Sequence, residues 1–108
     1  MKKSRIILAI AAVATAVSVS AAEVKENYAK HCAKCHGEDG KGATKMGQKL
    51  GARDYTDATV QAAFTDDQAF KSIKEGLKEG DKVLMKPAED LSDDDMKALV
   101  AHMRSFKK

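Results

Sequence analysis

The sequence predicts an all-α protein with about four short helices, and three observations support this fold class. Alanine, lysine, glutamate, methionine and leucine, all of which favour helices, dominate the chain after residue 22. β-Branched residues are scarce in that part, and no run alternates between apolar and polar side chains as a strand would. Pro87 is the only proline, so few positions interrupt a helix.

Residues 1–22 have the three-part layout of a secretory signal peptide. Lys2, Lys3 and Arg5 give a basic start, an apolar stretch follows, and three small residues at the end suit the specificity of signal peptidase. We therefore expect cleavage directly after this segment, export to the periplasm, and a single domain over residues 23–108.

The alternative to cleavage is a retained membrane anchor. The apolar stretch over residues 6–19 contains 14 residues. As a helix it would reach only about 21 Å, whereas the hydrocarbon core of a bilayer is about 30 Å thick. We therefore expect no stable membrane insertion after export.

The charge pattern gives no indication of a nucleic-acid partner. The net charge of +3 resides entirely in the basic residues of the predicted signal peptide, so residues 23–108 are formally neutral. Lysines and acidic residues are interspersed along this part without a basic block, and aromatic residues make up only 5% of the chain. We expect an ordinary solvated surface and no binding of nucleic acid.

Apolar periodicity predicts the first helix, and a capping residue marks the second. The first is expected from Glu23 to about Lys34, with apolar residues at four-residue spacing. Five glycines over residues 37–51 then predict a loop, because glycine cannot sustain a long helix. A short second helix is expected over residues 57–64, with Thr56 as its cap.

Capping residues mark the last two helices. Thr65 can cap the third helix, which we expect Gly76 and Gly80 to end. Ser92 can cap the fourth helix, and the three aspartates that follow it supply the acidic first turn that a helix dipole favours.

The segment Cys32-Ala33-Lys34-Cys35-His36 carries the main chemical signal. Two thiols three residues apart project from about one helical turn and can add to the two vinyl groups of a haem. The adjacent imidazole of His36 can then bind the iron as proximal axial ligand. We call residues 32–36 the haem motif. One covalently bound haem c would also supply the additional apolar core that a chain this short needs.

The sequence supports three other roles for the cysteine pair less well. A thioredoxin-like redox pair needs a βαβ setting, and no strands are predicted. A structural zinc site needs four ligands, and the chain has no second Cys/His pair at workable spacing. A disulfide between Cys32 and Cys35 would close too small a loop to stabilise the fold much.

A methionine is the expected distal ligand if the iron transfers electrons. Five methionines occur; one lies in the predicted signal peptide, and Met96 and Met103 lie on the apolar face of the last helix. Met85 is the preferred ligand, because nearby Pro87 restricts the backbone and can fix the direction of the side chain. Met46, in the glycine-rich loop, is the second choice.

Three segments extend the pattern beyond the haem motif: residues 28–42, Leu84-Met85-Lys86-Pro87 and residues 91–106. With them, nearly all of residues 23–108 resembles the class I monohaem cytochromes c of bacteria. The resemblance implies the cytochrome c fold, in which about four short helices surround one covalently bound haem and the first and last helices cross. It also implies thioether bonds at Cys32 and Cys35, and axial ligation by His36 and Met85.

These features predict a periplasmic electron carrier and not an enzyme. The expected partners are donor and acceptor redox proteins, which a monomer would meet in small, transient contacts. Two alternatives stay open. One is a haem peroxidase or gas-binding cytochrome with an open sixth site, and the other is a fixed cytochrome subunit of a larger redox complex.

Overall fold

The computed structural model describes residues 19–108, and within them six helices and one two-stranded hairpin share a core. Most of the predicted signal peptide lies outside the described residues, so its cleavage stays a prediction. The elements are α1 (Ala21–His31), α2 (Ala33–His36), α3 (Lys45–Leu50), α4 (Ala58–Ala62), α5 (Asp66–Glu75), β1 (Leu77–Glu79), β2 (Lys82–Met85) and α6 (Asp93–Arg104).

The predicted first helix is divided in two at the cysteine motif. Ser20 caps α1, because its hydroxyl accepts a hydrogen bond of 3.1 Å from the Glu23 N–H. Cys32 departs from helical geometry with a φ of −120°, and α2 begins at the next residue. The cysteine pair therefore spans a junction between two helices and not one continuous turn.

A helix also forms inside the predicted glycine-rich loop. The Thr44 hydroxyl accepts the N–H of Gly47 at 2.9 Å and so caps α3. The same hydroxyl donates to the Lys34 and Cys35 carbonyls, at 2.7 and 3.0 Å. One threonine thus starts α3 and ties it to the haem motif.

The expectation that the chain has no strands was wrong. β1 and β2 pair antiparallel, with Leu77 opposite Met85 and Lys78 opposite Val83, so Leu84 is an extra, bulged residue. Gly80 does not end a helix; it lies in the hairpin turn with a φ of +60°. Because the hairpin is small, the fold class is all-α as predicted.

The remaining helices follow the predicted capping signals closely. α4 is shorter than expected, and Asp57, not Thr56, is its cap. Thr65 forms a capping box with Gln68 at the start of α5, and Ser92 forms one with Asp95 at the start of α6. The predicted starts of the two long C-terminal helices are therefore correct.

α6 forms the centre of the core and packs against both α1 and α5. Leu99 on this helix is fully buried. The ring of Tyr28 on α1 lies 4.8 Å from the ring of His102 and 5.4 Å from that of Phe106. The Tyr28 hydroxyl donates a hydrogen bond of 2.6 Å to the Gly37 carbonyl, which fixes the chain just after the haem motif.

A polar network joins the end of α6 to α4. The buried amide of Gln61 donates to the Tyr55 carbonyl at 2.7 Å and to the Met103 carbonyl at 2.9 Å. Arg104 donates to the Gln61 side-chain oxygen at 2.9 Å and to the Phe64 carbonyl at 2.8 Å. These bonds hold the segment that contains Tyr55 against α6.

Candidate cofactor site

The haem motif opens onto a cavity with a volume of about 440 Å³, called the main cavity below. This volume lies in the usual range for a pocket that holds a small organic cofactor. Apolar side chains from α3, α5, α6 and the hairpin line much of its wall. Every residue that the sequence predicted for the site lines this one cavity: Cys32, Cys35, His36, Met46 and Met85.

Both cysteines lie at the wall of the main cavity, and no disulfide joins them. Burial, and next the charge of Cys35, raise the pKa of the Cys32 thiol to about 11. A catalytic redox cysteine has a depressed pKa, because its thiolate is the reactive form. Cys32 therefore lacks the electrostatic setting of a thioredoxin-like nucleophile.

His36 ends α2 and is buried. Burial lowers the pKa of its imidazole, which favours the neutral form that can donate a lone pair to a metal. Its Nδ1 atom is buried and has no hydrogen-bond partner in the structure. A buried polar atom without a partner is uncommon, so this ring does not behave as a satisfied core histidine.

Tyr55 covers His36 from the side of α4. The two ring centres are 5.1 Å apart, and the Tyr55 ring also meets Phe64 edge-on at 5.7 Å. Burial raises the pKa of the Tyr55 hydroxyl, so it stays protonated over the physiological range. This aromatic group shields the imidazole from water.

Met46 lies on α3, which packs directly against the haem motif. A Cβ built on the next residue, Gly47, would lie only 2.1 Å from the Cys35 carbonyl oxygen. Such a close approach leaves no room for a side chain at this position. Met46 thus enters the cavity from a helix fixed to the element that carries His36.

Met85 enters the cavity from the hairpin, which lies against the end of α5. It is the last residue of β2, and the bulge at Leu84 directly precedes it. Both Leu84 and Met85 line the cavity, although consecutive residues of a regular strand face opposite sides. The bulge therefore lets the hairpin present two neighbouring side chains to the same space.

One contact at the site was not recognised in the sequence. His31 pairs with Asp90 at 3.2 Å and lines the cavity beside Lys30. A second cavity of about 220 Å³ contains Arg53 and Tyr55 and shares Met85 with the first cavity. Nothing in the local sequence indicates the pairing of His31 with Asp90, because these two residues are distant along the chain.

Two other properties were searched over residues 19–108. No group of three or more His, Cys, Asp or Glu side chains in this range could hold a metal ion on its own. None of its helices is both long and apolar enough to cross a membrane.

The residues present fit a haem of the c type. Two thiols, a neutral imidazole and a thioether meet at a mostly apolar cavity, and these are the groups needed to attach the porphyrin and bind its iron on two sides. The unpartnered Nδ1 of His36 also indicates that the ring serves a function other than internal hydrogen bonding.

Comparisons with known proteins agree with this fit. The family model described as "Cytochrome c" matches residues 21–107. The solved structure "KustC0563 c-type cytochrome" is 41% identical, with a TM-score of 0.68 over 78% of this chain and 96% of that chain. A tyrosine-to-phenylalanine mutant of Kustc0563 is 39% identical, with a TM-score of 0.66 over 78% of this chain and 98% of that chain. A search of curated proteins finds no match.

Proposed function

The chain belongs to the cytochrome c family and binds haem c covalently, and from this premise we propose that it is a periplasmic carrier of single electrons. Cys32 and Cys35 fit the attachment motif for the haem. In this proposal they form its two thioether bonds, and His36 and Met85 are the axial ligands of the iron. When bound, the haem supplies a one-electron Fe(III)/Fe(II) couple.

The observation that carries the proposal is the convergence of both cysteines, His36 and a methionine on one apolar cavity. A thioether and an imidazole together would bind the iron on both of its free sides, and the thioether would raise the reduction potential. Such a site leaves no open position for a substrate, which suits a carrier better than an enzyme. The surrounding side chains exclude water, and Leu99 and Ile73 contribute to this from α6 and α5.

Two contacts favour Met85 over Met46 as the distal ligand. Met46 lies on α3, which is tied through Thr44 to the carbonyls of the haem motif itself. Met85 lies on a hairpin packed against α5, a different part of the chain from the one that carries His36. Since axial ligands must reach the iron from opposite faces, a ligand on a separate element meets that demand more easily.

Lysines at the cavity supply a basic docking surface in this proposal. Lys34 and Lys86 line the cavity that the two cysteines also line. Positive charge around the site would steer an acidic surface of a donor or acceptor redox protein toward it, with a rate that falls as salt is added. We expect small, transient complexes formed by a monomer.

The ligand assignment is tested with spectra of the haem-loaded protein. The full-length chain is expressed with a haem-attachment system, and oxidised and reduced spectra are recorded for wild type, Met85→Ala and Met46→Ala. We expect the sulfur-to-iron charge-transfer band to disappear in Met85→Ala and to persist in Met46→Ala, which is the matched control. Persistence of the band in Met85→Ala would contradict the assignment.

The carrier role has its own test. Cyanide and carbon monoxide are added to wild type, and a carrier with both axial ligands in place binds them weakly. A high-spin ferric spectrum, together with tight binding of cyanide or carbon monoxide, would favour a peroxidase or gas-binding cytochrome instead. Size-exclusion chromatography of native periplasmic extract then separates a free monomer from a fixed subunit of a larger complex.

Export is tested by fractionation. The holoprotein should be found in the periplasmic fraction with Glu23 at its N-terminus, since residues 1–22 have the layout of a signal peptide. An intact N-terminus in the membrane fraction would contradict both the cleavage and the localisation.

A further inference from the structure

The segment over residues 85–90, which follows the hairpin and begins with Met85, is fixed at both of its ends. We call it the methionine segment. At its start it lies against Gly76, and at its end Asp90 pairs with α1. In between, the Ala88 N–H donates to the Ile73 carbonyl at 3.0 Å. Two of the helices that line the cavity, α1 and α5, therefore hold this segment.

Gly76 allows the closest of these contacts. A Cβ at this residue would lie 2.7 Å from the Met85 carbonyl oxygen, 3.0 Å from Pro87 Cδ and 3.1 Å from Pro87 N. These are backbone and ring atoms, so they cannot rotate away as a flexible side chain would. The backbone of Gly76 also has φ 82° and ψ 176°, a region that residues other than glycine hardly enter.

Asp90 fixes the far end of the segment to the helix that leads into the haem motif. Its carboxylate accepts from Lys30 Nζ at 3.3 Å and lies 3.2 Å from His31 Nε2. The partners are the last two residues of α1, directly before Cys32. Asp90 thus links the methionine segment to the other side of the cavity.

We propose that Gly76 and Asp90 are positioning residues for the distal methionine: the glycine admits the Met85–Pro87 backbone against α5, and the aspartate ties the segment to α1. This inference rests on the proposed role of Met85 as distal ligand. Neither residue lines the main cavity itself, so both act through the segment.

The test measures how easily imidazole, added as a competing ligand, displaces the methionine in the ferric holoprotein. The main variant is Gly76→Ala, and Gly51→Ala is its control. Gly51 also ends a helix at positive φ, 73°, but a Cβ there meets no atom within 4 Å. We expect the dissociation constant for imidazole to fall at least about tenfold in Gly76→Ala, with a weakened charge-transfer band, and to stay within about twofold in Gly51→Ala.

A second variant keeps the test decisive if Gly76→Ala does not fold. Asp90→Asn removes only surface ion pairs, and Asp66→Asn is its control because Asp66 pairs with Arg104 away from the segment. A surface pair contributes little, so we expect a two- to fivefold fall in the imidazole dissociation constant for Asp90→Asn and no change for Asp66→Asn.

The outcomes separate the inference from the proposal on which it rests. If Met85→Ala removes the band while Gly76→Ala and Asp90→Asn match their controls, the inference is overturned and the ligand assignment stands. When Gly76→Ala cannot be obtained folded, the comparison of Asp90→Asn with Asp66→Asn alone decides. If Met85→Ala leaves both the band and the imidazole affinity unchanged, the ligand assignment itself fails.

Discussion

Replacing Arg104 with alanine should destabilise the protein far more than its partly exposed position suggests. The guanidinium donates to the Gln61 carbonyl, the Gln61 side-chain oxygen and the Phe64 carbonyl, all partly buried. Three such hydrogen bonds contribute about 1 kcal/mol each. The guanidinium carbon also lies 4.1 Å from the centre of the Phe64 ring, which adds about 0.5–1 kcal/mol.

The ion pair with Asp66 contributes little to this sum. Its nitrogen–oxygen distance is 2.8 Å, but the Asp66 side chain is 72% exposed. A pair of this kind is screened by solvent and contributes less than about 1 kcal/mol. Since water can replace part of what Arg104→Ala removes, we expect a loss of about 3 kcal/mol in the free energy of unfolding.

Urea denaturation of the holoprotein, followed by far-UV circular dichroism, measures this loss. A loss of about 3 kcal/mol corresponds to a fall in Tm of about 12–24 °C for a domain of this size. Arg104→Lys should recover less than half of the loss, because an ammonium cannot reproduce the planar fork of the guanidinium. Asp66→Asn is the control. A loss below about 1 kcal/mol for Arg104→Ala, or an equal loss for Asp66→Asn, would refute the reasoning.

Two further predictions concern titratable rings between α1 and α6. Burial is the main cause that raises the pKa of Tyr28, so the stability that the protonated ring contributes is complete below pH 10 and is lost as pH rises further. Tyr28→Phe should lower the free energy of unfolding by about 1 kcal/mol at pH 7 and weaken the loss of stability at alkaline pH, measured by urea denaturation. An alkaline slope equal to that of wild type would count against this. Burial, and then the charge of Lys25, lower the pKa of His102, so its contribution is present above about pH 6.5 and is lost as pH falls. His102→Phe should therefore flatten the dependence of unfolding free energy on pH between 7 and 5, and a slope equal to that of wild type would exclude the effect.

The features that could be predicted from the sequence are those that depend on residues close together in the chain. The capping boxes at Thr65 and Ser92 join residues three apart, so the sequence contains the whole interaction. The residues of the haem motif are also close together in the chain, and the family comparison confirms that the motif is a haem c site. The roles of the individual axial ligands stay predictions that the spectra described above test.

The features that could not be predicted depend on contacts between distant segments. The hairpin from Leu77 to Met85 has no long alternating run, and Gly80 has the same local appearance in a hairpin turn as at a helix end. The network of Gln61 and Arg104 joins residues 43 apart. A glutamine in a short helix and an arginine in a last turn both look like ordinary surface residues until the fold brings them together.

The contact between Gly47 and the Cys35 carbonyl limits how this protein can be redesigned. With a Cβ at 47 only 2.1 Å from that oxygen, any larger residue would have to push α3 off the haem motif. A mutational library that varies every position should therefore return glycine alone at 47 among the variants that still carry haem. Gly51, four residues later, should tolerate alanine better, because its φ of 73° adds strain but no atom lies within 4 Å of the new Cβ. Attempts to tune the protein by exchanging its loops would do best to transplant residues 42–51 as one unit and leave that joint intact.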